Sequence, residues 1–221
     1  MKNEEIKIPI AEKVATKLEK HGDVRIDNYN WMRLTDEQKN EKAPDEHTQK
    51  VLDYLHAENA YFDNKMGHTE KLREELFQEM KSRIKEDDES VPYKENGYYY
   101  ITKYEKGGQY PIYSRKKETL KADAEIMFDV NKMATGYDFY VLGGLSISPD
   151  NKLAAFSVDT ISRRQYVLQF KNLETGEIYP DKIDNTVGSA TWANDNKTVF
   201  YTKKNPVTLR SERIFKHVLG T

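Results

Sequence analysis

The chain has 221 residues, enough for one or two domains with a sizeable core, and its 35 basic and 37 acidic residues nearly cancel. That balance offers no broad field for nucleic acid or an anionic membrane, and the lack of cysteine excludes disulfides, thiolate zinc sites and a cysteine nucleophile. No stretch reads as a signal peptide or a bilayer span, so the expectation is a cytoplasmic protein with neither nucleic acid nor membrane as partner.

Residues 1–35 read as an extended arm. Val14, Thr16 and Leu18 alternate with polar residues, His21-Gly22-Asp23 supplies a turn, and Val24 and Ile26 resume the alternation. Trp31 follows, in a segment with too little regular structure to build a core of its own, and is expected to be wet in this chain. Asp36 to His47 reads as a polar, charged loop containing Pro44. A first helix is expected from about Thr48 to Met66, with Val51, Leu55 and Phe62 at helical spacing and Gly67 as its C-terminal cap. A second starts at the N-cap candidate Thr69. Its row Leu72, Leu76, Met80 and Ile84, widened by Phe77, reads as core packing. The acidic run Lys85 to Ser90 reads as a solvated linker.

From Val91 the period turns from helical to strand-like, which places a domain boundary near residue 88 and gives units 1–88 and 89–221. Val91–Lys94, Tyr98–Tyr104, Tyr110–Arg115 and Glu125–Val130 make four strands, with hairpin turns at Asn96-Gly97 and Gly107-Gly108. Next come Leu145–Ser148, Leu153–Asp159, Tyr166–Asn172 and Glu177–Tyr179, then Ser189–Ala193, Thr198–Lys203 and Arg213–Val218. The stretch from Gly144 to Tyr201 repeats itself: Asp150-Asn151-Lys152 and Asp195-Asn196-Lys197 stand 45 residues apart, each in a turn between two short strands. Four-stranded units at this spacing are the signature of propeller blades. The units are 89–136, 137–185 and 186–221, and the third lacks an outer strand. The fold class is therefore mainly β with an N-terminal helical arm, and the propeller reads as incomplete, the beginning of a longer protein.

Several linked segments carry a family resemblance: His21 to Arg33, Val51 to Leu55 with Glu58-Asn59, Ser162-Arg163-Arg164-Gln165-Tyr166, Asn172 to Gly176, Trp192 to Asp195 and Asn205 to Leu209. In order, and across essentially the whole chain, they resemble the N-terminal portion of the prolyl oligopeptidase family of serine peptidases, most of all its oligopeptidase B (protease II) branch. The resemblance implies a seven-bladed propeller, of which this chain holds the first three blades. It also implies a C-terminal α/β-hydrolase domain as partner, against which the arm and helices pack. The propeller would gate access for peptide substrates, cut after Arg or Lys in the oligopeptidase B branch and after Pro in the prolyl branch. The catalytic Ser, Asp and His of the family lie in the hydrolase domain.

The residues carry no catalytic site of their own. The only Gly-x-Ser is Gly144-Leu145-Ser146, where Ser148 replaces the second glycine of a nucleophile elbow. Histidines 21, 47, 56, 68 and 217 have no metal spacing; His47, His56 and His68 read as solvent-facing or capping. No phosphate loop or cofactor motif occurs, and no cofactor is expected. One feature stands out: Arg163-Arg164, in the hairpin between the second and third strands of the second blade. On a propeller rim, paired guanidinium groups suit a carboxylate of a neighbouring domain. The expectation is thus an oligopeptidase B-like portion inactive by itself. A standalone propeller-derived protein-binding module is the alternative of a different class.

Overall fold

The computed structural model describes residues 6–221. The chain divides into two units, the first ending at Ile84 and the second running from Lys85 to Thr221.

In the first unit, β1 (Thr16–Lys20) and β2 (Asp23–Asp27) form an antiparallel hairpin. Its two turn residues, His21 and Gly22, have φ of 54° and 81°. Two successive positive φ values give the turn whose twist matches that of the flanking strands. A single 3₁₀ turn, Asn30–Met32, then carries Trp31. This ring is half-buried rather than fully exposed. Its Nε1 donates to the Glu12 carbonyl at 2.9 Å, the Lys50 ammonium lies 5.3 Å from the ring centroid, and Tyr54 meets it edge-on at 6.3 Å. The cover comes from the following helix, which the expectation of an uncovered segment left out.

The stretch expected as a loop contains α1 (Asp36–Asn40). Thr35 Oγ1 accepts from the Gln38 amide at 3.2 Å, and Gln38 Oε1 accepts from the Thr35 amide at 3.0 Å. This reciprocal pair satisfies two donors that a short helix otherwise leaves unpaired. Helix α2 (Glu46–Met66) starts two residues before the expected position, because Asp45 is its cap: a carboxylate oxygen accepts from the Thr48 amide at 2.6 Å. Gly67 does not end it in the left-handed region. With φ of −55° it continues through a 3₁₀ turn, Gly67–Thr69, into α3 (Glu70–Ser82). Thr69 donates back to the Met66 carbonyl rather than capping α3. In α2 only Thr48 and Val51 are buried, and in α3 no residue is. The row read as core packing is exposed, with Leu72 at 54%, Leu76 at 47% and Met80 at 61%.

In the second unit, β3 (Asp88–Glu89), β4 (Tyr93–Glu95), β5 (Tyr98–Tyr104), β6 (Ile112–Lys117) and β7 (Glu125–Asp129) form one antiparallel sheet. Both β3 and β4 pair with β5, so part of the acidic run is strand rather than linker. The Asn96-Gly97 turn again has two positive φ values, 44° and 83°. A short helix, α4 (Val130–Met133), leads to a second sheet of β8 (Val141–Ile147), β9 (Leu153–Asp159), β10 (Tyr166–Asn172), β11 (Ile178–Trp192), β12 (Thr198–Lys204) and β13 (Ser211–Val218), paired in that sequential order. Strand β11 is 15 residues long: its first part pairs with β10 and its last part with β12. The point expected to separate the second and third blades, between 185 and 186, therefore lies inside one continuous strand. Register shifts absorb its bend.

Two apolar clusters hold the second unit together. Tyr100, Phe128, Val130 and Phe156 centre the first; Leu168, Phe170, Trp192 and Val199 centre the second. The two repeat copies meet directly. Trp192 Nε1 donates to the Ser146 carbonyl at 3.0 Å, and the Asp150 amide donates to Asn196 Oδ1 at 2.9 Å.

Candidate functional site

The hairpin tip between β9 and β10 is built by one buried carboxylate. Asp159, 2% exposed, closes β9. Its Oδ1 accepts from the amides of Ile161 (2.8 Å) and Ser162 (3.1 Å), and its Oδ2 from the amide of Arg164 (2.7 Å). A carboxylate holding three amides tolerates burial because its charge is satisfied by those donors. The wrap forces Ser162 and Arg164 into the left-handed region, at φ of 64° and 54°. Arg163 and Arg164 consequently stand on an exposed, fixed tip.

The structure brings further cations to them. Lys204, the last residue of β12, donates to the Arg164 carbonyl at 2.7 Å, and its ammonium lies 5.8 Å from the Tyr166 ring. Lys203 lies 5.7 Å from the Phe215 ring and is directly opposite Arg213 in the β12–β13 register. Like charges directly opposite each other on a sheet are destabilising. The Asp159 carboxylate, spent on backbone amides, does not offset them. Two adjacent hairpin ends thus form a basic rim suited to carboxylates. The place of the paired arginines on a hairpin between two strands was legible in the sequence; the lysines were not linked to them. The repeat held the signal, because Asp159 and Lys204 occupy equivalent places 45 residues apart.

The remaining candidates stay separate from this rim. Ser146 lies within β8, where its carbonyl accepts from the Trp192 ring. His21 is the turn residue of the first hairpin. His56 and His68 are exposed. His47 neither caps nor faces solvent freely: its Nε2 lies 2.7 Å from the Trp31 carbonyl and its Nδ1 3.0 Å from the Gln38 side chain. His217 Nε2 lies 3.1 Å from Asp181 Oδ1, and its ring stacks on Phe170. The Gly220 amide also donates to that oxygen, at 3.1 Å. No hydroxyl joins this pair among the described residues, so it fastens β13 to β11 and has no nucleophile to activate. No group of three or more His, Cys, Asp or Glu is arranged for a metal among the described residues.

Comparison with known proteins agrees with this geometry. The family model described as "Prolyl oligopeptidase, N-terminal beta-propeller domain" matches residues 9–221. Dipeptidyl aminopeptidase BI of Pseudoxanthomonas mexicana is 39% identical over 91% of this chain and 29% of its own length. Protease 2 of Moraxella lacunata is 28% identical over 98% of this chain and 31% of its own length. Among solved structures, oligopeptidase B from Leishmania major superposes with a TM-score of 0.82 at 30% identity, covering 98% of this chain and 31% of that one. The chain thus spans about three-tenths of the length of the relatives it matches. It belongs to the prolyl oligopeptidase family, and what it carries of that family is the N-terminal β-propeller region in its oligopeptidase B-like form.

Proposed function

We propose that this chain is the arm and gating propeller of a cytoplasmic serine peptidase of the oligopeptidase B type, which hydrolyses peptides after Arg or Lys. The observation that carries the reading is the agreement of fold over 98% of the chain with oligopeptidase B from Leishmania major, at 30% identity. In this reading an α/β-hydrolase domain supplies the Ser, Asp and His of acyl transfer. The exposed stripe of α3 packs on that domain, and Arg163 and Arg164 hold one of its carboxylates. The propeller admits short or unfolded peptides and excludes folded ones.

A second reading has a specific observation behind it: the relative that is 39% identical is named a dipeptidyl aminopeptidase. One panel of substrates separates the readings when given to the whole enzyme. Peptides blocked at the N-terminus and carrying Arg, Lys or Pro before the scissile bond are compared with the same peptides left free. Cleavage of blocked Arg and Lys peptides, with the Pro peptide intact, is expected. Preference for Pro would move the protein to the prolyl branch. A strict need for a free N-terminus, with dipeptides released, would favour the second reading. The 221-residue chain alone is expected to cleave none of them; a serine-inhibitor-sensitive turnover that follows it through purification would contradict this.

A further inference from the structure

Between the first sheet and strand β8 lies a cleft of about 400 Å³, lined by Tyr93, Glu95, Tyr100, Tyr113, Leu145 and Ser146 among others. Its chemistry is aromatic and acidic. Tyr93 is opposite Tyr100 and Glu95 opposite Tyr98 in the β4–β5 register, so these side chains share one face of the sheet. The Tyr93 and Tyr100 rings stack at 5.2 Å, and Tyr93, 58% exposed, leaves its outer face open. Burial raises the pKa of the Tyr100 and Tyr113 hydroxyls, which stay neutral.

The charges around the cleft do not cancel. Arg115 is occupied: its Nε donates to Glu125 at 2.9 Å, its Nη1 to the Asn151 carbonyl at 2.6 Å, and its guanidinium lies 4.2 Å from the centroid of the Tyr98 ring. Lys94 lies over Tyr99, on the opposite face. Lys117 is opposite Tyr98 from β6, on the face that Glu95 shares but two strands away from β4. Glu95 has no ion-pair partner among the described residues and is exposed. A carboxylate without an ion-pair partner, beside the open outer face of Tyr93, is the combination that binds an organic cation; the Tyr98 face is already covered by Arg115 and Tyr100 is buried beneath Tyr93. Guanidinium fits it best, because a planar fork stacks on an aromatic ring while donating to a carboxylate.

We propose that this cleft is a subsite for an arginine side chain of a peptide. The inference deepens the proposed preference for basic peptides and rests on that reading for its use in the enzyme, but the binding itself does not need it. The test is nuclear magnetic resonance on the 221-residue chain with labelled tyrosines, titrated with a tripeptide of arginine blocked at both ends. The same peptide with citrulline, which keeps the shape and removes the charge, is the control. Saturable shifts of Tyr93 and Tyr100 are expected with arginine and not with citrulline. Glu95→Gln should weaken binding about tenfold, the loss of one charge-assisted contact. Tyr93→Ala, at a position 58% exposed, should weaken it severalfold, with circular dichroism checking that the sheet persists. Equal binding of citrulline, absence of saturable shifts, or unchanged affinity in both variants would overturn the proposal. No bond is cleaved in this measurement. An enzyme that fails to cut after Arg, with the subsite still binding arginine, would defeat the proposed function and leave the subsite standing.

Discussion

Asp195 shows how much one turn residue contributes when its neighbours are right. Its Oδ2 accepts from the Thr198 hydroxyl at 2.6 Å, and its Oδ1 from the amides of Lys197 (3.0 Å) and Thr198 (2.8 Å). These donors, the Thr198 hydroxyl foremost, hold the carboxyl down at about 2. The unfolded chain titrates nearer the ordinary value of about 3.9. A pKa lowered by folding gives stabilisation that is present above the unfolded value and is lost as pH falls through the folded one. Between about pH 4 and pH 2, Tm of the chain should therefore drop, and it should drop less for Asp195→Asn, whose starting Tm is lower. Parallel acid limbs for the two proteins would show that this carboxylate is not a contributor. The turn itself was legible, since Asp-Asn-Lys recurs at one spacing and each copy is flanked by strand-like residues. The role of Asp159 was not, because nothing in the local sequence says that a carboxylate closing a strand will be buried and wrapped by three amides.

At the scale of elements, the junction of the two repeat copies is where packing leaves least room. A Cβ placed on Gly144 would lie 2.1 Å from the Gly188 carbonyl oxygen and 2.7 Å from the Ser189 Cα. Both are backbone atoms, so no side chain can swing aside, and β8 and β11 would have to move apart. Gly144→Ala should cost about 1–3 kcal/mol or more, the range for an overfilled core. The expected result is a lower urea midpoint at unchanged slope; a midpoint equal to wild type would mean the strands have slack. Most strands and both long helices follow from period and turn chemistry. Two features escaped that reasoning. Helix α1 is only five residues long, too short to show a period, though Thr35 and Gln38 carry its capping signature. Strand β11 contains Pro180, Asn185 and Gly188, which argue for a break. The sheet instead absorbs them as register shifts, with Asn185 and Gly188 at φ of 59° and 95°.

For the molecule as a whole, what the sequence left illegible is burial that depends on a second surface. The α3 row has the spacing of a core-facing stripe, and a sequence pattern cannot say which body it faces; here it is exposed. The same holds for the free side of the second sheet. Strand β13 pairs with β12 and with no other strand among the described residues. In that pairing Phe200 is opposite Lys216 and Thr202 opposite Ile214, so Phe200 and Ile214 share a face. They are 44% and 79% exposed. An unpaired edge is a template for another strand, and contiguous apolar surface beside it adds driving force. The 221-residue chain in solution should therefore self-associate through β13, with light scattering across a dilution series reporting a mass that rises with concentration. Ile214→Lys removes apolar surface and places a cation beside Lys216 at the edge, a substitution that no buried contact opposes. It should shift the chain toward monomer while leaving circular dichroism and the Trp192 emission unchanged. A wild-type chain that stays monomeric at high concentration, or an Ile214→Lys variant that associates just as strongly, would show that the edge is not the route of association.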